Sequence, residues 1–259
     1  MKVICLTGGL ASGKSTAVKH LADKGALVID ADILGHQAYN PGTAAFDDVI
    51  STFGEEARGD DGQIDRKVLG GKVFGKPEEL RKLTDIVWPE IRRLAELELA
   101  AIADRNPDAI VVLEAAVLFE AGWEDIGEEI WVLTVDRETA ISRSMARDNA
   151  PRDAVERRLD SQLSNEVRTS RADIVVTNDG SVATMLEQIN SAFAESTGTS
   201  GTGREEPQKP AADGKGGPID GAYNTQANAW QDWRHKHQYV HAEKQNRNIK
   251  IGELPCNRR

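Results

Sequence analysis

A chain of 259 residues with 39 % hydrophobic residues holds enough apolar material for a buried core, and its net charge of −10 argues against general nucleic-acid binding, which needs a basic surface. No apolar run approaches the roughly 18 residues of a membrane span, and two cysteines, Cys5 and Cys256, are too few for a disulfide framework or a zinc site. Charge is uneven, with 22 Lys or Arg against 35 Asp or Glu before Ser196 and 10 against 7 from there on, so an acidic body and a basic tail are expected.

The chain opens on an apolar segment with neither a basic leader nor an Arg-rich one, so no targeting segment is expected and a reducing, cytoplasmic location fits. Val3-Ile4-Cys5-Leu6 predicts a strand. Gly8, Gly9, Leu10, Ala11, Ser12, Gly13, Lys14, Ser15 and Thr16 follow, and then a helical pattern through Ala17, Val18, Leu21 and Ala22 that stops at Gly25. Strand, Gly-x-x-x-x-Gly-Lys-Ser, helix is a P-loop. Its glycines let successive N–H groups and the helix N-terminus face an anion. Lys14 can reach the β and γ phosphates of ATP, and the Ser15 hydroxyl is placed to ligate the Mg²⁺ that bridges them. Ala11 puts a methyl group in the loop and is accommodated there if its φ is negative.

A second strand, 26–29, ends at Asp30-Ala31-Asp32, which puts two carboxylates at the sheet edge where open α/β folds bind ligands. Capping of the next helix is the competing use for either one. Residues 41–106 read as predominantly helical, with Phe46, Val49, Ile50 and Phe53 on one face, Asp65 as an N-cap, Pro77 in a first turn and Pro89 opening a longer helix. That is too much helix for one crossover, so an inserted acceptor-binding region is expected, with Arg66, Lys67, Arg81, Arg92 and Arg93 as its cations.

Residues 109–113, 130–135 and 174–176 are three further apolar runs, and strands alternating with helices predict a parallel, doubly wound sheet. Between the last two runs stand Arg137, Arg143, Arg147, Arg152, Arg157 and Arg158, ending at Gln162. Arg143 and Arg147 share a helix face and could neutralise a transferring phosphoryl group. The bland alternative is a charged helical hairpin balanced by Asp148, Asp153, Glu156 and Asp160. From Ser196 to Ala222 the composition is that of a flexible linker, and 223–259 carries Trp230, Trp233, His237 and His241, a segment that could meet a protein partner.

Taken in order, these residues resemble the dephospho-CoA kinase family, and within it the kinase half of the eukaryotic bifunctional CoA synthase. The resemblance rests on Leu6-Thr7-Gly8-Gly9 with Ser12 to Thr16, Val28 to Asp32, Phe53-Gly54, Ile64-Asp65-Arg66, Leu83 to Pro89, Glu114 to Trp123, Arg143 and Arg147, Arg158-Leu159 with Gln162, and Ala172-Asp173. It covers residues 1 to about 195. It implies an α/β P-loop kinase with a five-stranded parallel sheet, a helical substrate region at about 40–106 and a helical lid at about 138–170. The activity implied is transfer of the ATP γ-phosphoryl group to the ribose 3′-hydroxyl of dephospho-CoA, giving coenzyme A.

On that resemblance Asp32 is the base, Lys14, Arg143 and Arg147 assist the transfer, and Arg66, Leu118 and Glu120 join Asp32 at the acceptor. Trp88 stands where many bacterial members have His, and Ala11 where many have Gly. No adenylyltransferase half is expected before the kinase portion. A GTPase reading of Asp32-Ile33-Leu34-Gly35 lacks the guanine-reading Asn-Lys-x-Asp signature, and a non-catalytic scaffold would not need Lys14, Ser15 and Asp32 together.

Overall fold

The computed structural model describes residues 1–198; the expected linker beyond Gly198 and the segment with Trp230, Trp233, His237 and His241 lie outside the described residues. Five strands, β1 (Lys2–Gly8), β2 (Leu27–Asp30), β3 (Ile110–Glu114), β4 (Glu129–Thr134) and β5 (Ile174–Thr177), form one parallel sheet in the order β2-β3-β1-β4-β5. The five-stranded parallel sheet expected from the apolar runs is therefore present.

Period-two alternation divides the core. Val3, Cys5, Val111, Leu113 and Val132 face one side of the sheet; Ile4, Leu6, Val112, Trp131 and Leu133 face the other. The second side is covered by α1 (Lys14–Asp23) and α9 (Val182–Ser196), through Ala17, Leu21, Met185 and Ile189. The first side carries α2 (Ala31–Gln37), α3 (Ala44–Phe53), α4 (Arg66–Val73) and α5 (Pro77–Arg105), which bury Leu34, Phe46, Val49, Leu69, Leu83 and Ile91. This is the inserted helical region. Thr43 and Asp65 cap α3 and α4 by accepting hydrogen bonds from Phe46 N and from Lys67 N and Val68 N.

Pro89 does not open a helix. It lies inside α5, which begins at Pro77 and runs 29 residues. The apolar face is continuous across it, through Leu80, Leu83, Val87, Ile91, Ala95 and Leu99. Pro89 itself sits on the exposed side, where water can satisfy the carbonyl that its missing N–H leaves. Packing on the buried face therefore outweighs the local break.

After β4 the chain forms the hairpin α6 (Arg137–Asp148) and α7 (Arg152–Asp160), then the short α8 (Asn165–Thr169) before β5. Asn149, at φ 48°, makes the turn between α6 and α7. Ile141 and Val155 of this hairpin pack on Leu10 of the P-loop, so the hairpin shares a small core with the loop it borders. Among the described residues no helix is long and apolar enough to cross a membrane.

Candidate active site

Parallel register brings the strand ends together. Leu6 of β1 is level with Glu114 of β3, and Glu114 with Asp30 of β2, so neighbouring ends stand one strand spacing, about 4.8 Å, apart. The P-loop leaves β1 just beyond this row. Asp30 is spent on structure: its carboxylate accepts from Asp32 N at 2.8 Å and Ile33 N at 3.3 Å and caps α2. Asp32 stands in the first turn of α2 and is partly exposed.

The loop suits an anion. Gly13 is the N-cap of the ten-residue α1, at φ 97°, and no side chain caps the helix, so its first N–H groups point outward with the positive end of the helix dipole. A Cβ at Gly13 would also lie 2.5 Å from Asn178 Nδ2. Lys14 Nζ donates to the carbonyls of Gly8 at 2.8 Å and Gly9 at 3.2 Å, which holds the ammonium at the mouth of the loop. Ser15 and Thr16 are exposed on the first turn of α1, while Ser12 is buried. Ala11 departs from the sequence expectation: its φ is +56°, in the left-handed region. The loop imposes that conformation on a residue whose Cβ disfavours it.

Arg143 and Arg147, both on α6, are differently placed. Arg143 Nη1 donates to Asn178 O at 2.9 Å, and Asn178 Nδ2 donates to Ser12 O at 2.9 Å, so Arg143 braces the P-loop through the turn after β5. Arg147 is half-exposed and paired with Asp148 at 2.6 Å; the buried Arg158 meets the same carboxylate at 3.0 Å. Arg137, Arg152 and Arg157 form surface pairs with Asp160, Glu138 and Asp153, so for these the charged-hairpin reading holds.

At the start of α4 the Arg66 guanidinium lies 5.9 Å from the centre of the buried Tyr39 ring, whose hydroxyl pKa is pushed up to about 12 by burial against the opposing pull of Arg66. Arg92 is taken by Asp125 at 2.8 Å and Arg93 by Glu90 at 2.6 Å. Leu118 is fully buried in the core beside the sheet, so its side chain supports the 115–123 turn and does not line a ligand surface. The Glu120 side chain is also buried. Loss of solvent raises its pKa, although Arg168, Arg171 and Lys14 pull it down.

Two further side chains reach the loop: Gln162, which carried part of the family resemblance, and Arg168, which was not singled out from sequence. Gln162 Oε1 accepts from Leu10 N at 2.9 Å, and Arg168, buried on α8, approaches Gly9. Both follow Arg143 and Arg147 in the chain. The signal available was a further basic residue between the fourth and fifth apolar runs, past the point where the arginine cluster thins out.

The family model for dephospho-CoA kinase matches residues 2–184. The dephospho-CoA kinase of Geobacter sulfurreducens is 43 % identical over 195 residues, spanning 75 % of this chain and 98 % of that protein. The one from Carboxydothermus hydrogenoformans is 39 % identical over 189 residues, 73 % of this chain and 91 % of its own length. A solved protein of Thermus thermophilus superposes with a TM-score of 0.63 at 33 % identity, over 75 % of this chain and 97 % of that one. The dephospho-CoA kinase of Campylobacter jejuni gives 0.58 at 28 % identity, over 76 % and 98 %.

Proposed function

The chain belongs to the dephospho-CoA kinase family, and from that premise we propose how its own residues carry the ATP-dependent phosphorylation of the ribose 3′-hydroxyl of dephospho-CoA. The observation that supports the assignment of roles is the uncapped start of α1, opened by Gly13 in the left-handed region, with Lys14 at its mouth. That arrangement holds a polyphosphate by backbone N–H groups and one mobile cation.

Asp32 acts as the base. It leaves the row of strand ends on α2, the helix next to the acceptor region, and Asp30 relieves it of capping duty. The acceptor oxygen attacks the γ-phosphorus while its proton passes to the Asp32 carboxylate; the bond to the β–γ bridging oxygen breaks, and its electron pair leaves with ADP. Catalysis of this kind is positioning plus charge neutralisation. Lys14 supplies positive charge at the loop, Arg143 fixes the loop through Asn178, and Arg147 presents a half-exposed guanidinium from the lid. Arg66 and Glu120 border the acceptor. Ser15, exposed at the start of α1, would hold Mg²⁺, which when bound neutralises charge between the β and γ phosphates.

The acidic body and buried Cys5 agree with a cytoplasmic enzyme. Trp88, half-buried against the core, is the feature shared with the kinase half of the eukaryotic bifunctional synthase, and we read it as a mark of that lineage. The test is ADP release with Mg·ATP and dephospho-CoA, run beside adenosine, AMP and pantetheine. Turnover that depends on dephospho-CoA and yields CoA is expected. Preference for one of the rival acceptors would overturn the substrate assignment.

A further inference from the structure

Arg168 comes from α8, in the segment that returns from the lid to β5, and its side chain is 4 % exposed. An arginine is not carried into an interior without compensation. Here Nη1 donates to the Leu163 carbonyl, and Nη2 stands 4.0 Å from Oε1 of Glu120, itself 3 % exposed. That separation exceeds hydrogen-bond length, so Glu120 balances the charge without closing a fork on it. A guanidinium has five N–H donors, and these contacts engage a fraction of them.

The same guanidinium lies against the P-loop. A Cβ placed on Gly9 would be 3.3 Å from Arg168 Nη1 and 3.7 Å from Gln162 Oε1. A side chain at Gly9 would therefore press on the Arg168 guanidinium and touch Gln162, so both groups stand close over the loop. Gln162 is fixed there by the Leu10 N–H, and Arg168 and Gln162 line a cavity of about 550 Å³ that opens on Gly9 and Leu10. Glu120 feels Lys14 as well as Arg168, so cations from the loop and from α8 converge on one buried carboxylate.

We propose that Arg168 is a catalytic residue of this kinase: its guanidinium, held by Glu120 and Leu163 over Gly9, contacts the γ-phosphoryl oxygens during transfer. The proposal rests on the phosphoryl-transfer reading above. Arg168 makes no bond and moves no proton. Its planar fork stands in place before charge develops, so little reorganisation is needed when the phosphoryl group loosens from ADP. Arg143 and Arg147 lack this placement, since one is turned to the carbonyls after β5 and the other to Asp148. Glu120, in this account, is a positioning residue.

The competing account is that the Arg168–Glu120 pair merely staples α8 to the 115–123 turn. Full-length Arg168→Met, Arg168→Lys and the double variant Arg168→Met/Glu120→Gln separate the two. The double variant removes both charges and so restores stability lost to an uncompensated buried carboxylate. Arg168→Met is expected to lose about 10²–10³-fold in kcat, as for other preorganised donors at a transition state, with a much smaller change in KM for ATP. Arg168→Lys should recover part of that, and the double variant should regain Tm without regaining kcat. Binding of ADP with aluminium fluoride should weaken in step with kcat while ATP binding holds. Recovery of kcat along with Tm in the double variant, or turnover of Arg168→Met within about threefold of wild type, well short of that loss, would overturn the proposal. The analogue measurement needs no acceptor, so it reads Arg168 even if dephospho-CoA proves to be the wrong substrate.

Discussion

Ala11 is held at φ +56°, where the Cβ of an L-residue costs about 1–2 kcal/mol. Glycine at that position would remove the strain and lose about 0.5–1 kcal/mol to its larger unfolded-state freedom. Ala11→Gly is therefore expected to raise stability by up to about 1 kcal/mol, or about 2–4 °C in Tm for a domain of this size. A fall in Tm would mean that the methyl contact with the lid cluster of Leu10, Ile141 and Val155 outweighs the strain. Asp32→Asn keeps size and polarity and removes the proton acceptor, so kcat should fall by about 10²–10⁴-fold with ATP binding nearly unchanged. Full activity in that variant would show that the base lies elsewhere. The loop residues and the strand-end carboxylates were legible in the sequence because their chemistry depends on spacing along the chain. The backbone angle at Ala11 and the arrival of Arg168 over Gly9 were not, since each is set by segments far away in sequence that close on the loop.

Beside the surface pairs Arg137–Asp160 and Arg152–Glu138, the α6–α7 hairpin is tied by a more buried carboxylate. Asp148, its side chain 10 % exposed, takes Arg147 at 2.6 Å and the buried Arg158 at 3.0 Å. The hydrogen bond from Arg147, then that from Arg158, holds its pKa below the ordinary 3.8 in spite of partial burial. Such a group contributes stability that is fully present above its unfolded pKa and is lost as pH falls through its lower folded pKa. Asp148→Asn should cost about 1–3 kcal/mol near neutral pH, chiefly through the weakened contact with buried Arg158, because the half-exposed Arg147 is screened by water. The gap between wild type and variant should begin to shrink below about pH 4 and go on closing as pH falls through the lower folded pKa. A gap unchanged down to pH 2–3 would mean that packing, not charge, ties α6 to α7. At this scale the helices were legible from periodicity and from the cap at Asp65, while the cap at Thr43 was not read. Pro89 misled because a helix stop is a local signal, and the continuous apolar face of α5 overrode it.

Over the whole molecule, each apolar run foretold a strand, but the order β2-β3-β1-β4-β5 follows from how the crossovers pack and no single segment encodes it. The assembled unit closes on itself before the described residues end. Lys2 Nζ bridges Glu129 Oε1 at 2.6 Å and Ser196 O at 2.8 Å, while Ser196 Oγ donates to Glu129 Oε2 at 2.5 Å. This knot ties the last turn of α9 to β1 and β4. The sheet, the P-loop, helices α2 to α5 and the α6–α7 hairpin all lie within residues 1–198, and the 195 residues matched in the Geobacter sulfurreducens kinase make up 98 % of that protein. A chain ending at Gly198 should therefore fold with the Tm of the full chain and keep kcat/KM for ATP and dephospho-CoA within about twofold, well under the tenfold that corresponds to 1.4 kcal/mol of transition-state stabilisation. Removing the basic tail also removes three net positive charges, so the comparison belongs at physiological ionic strength, where long-range attraction of the anionic substrates is screened beyond about 8 Å. A loss above tenfold that persists at higher salt would place residues 199–259 in the working enzyme. A loss that vanishes with salt would assign the tail to steering its substrates.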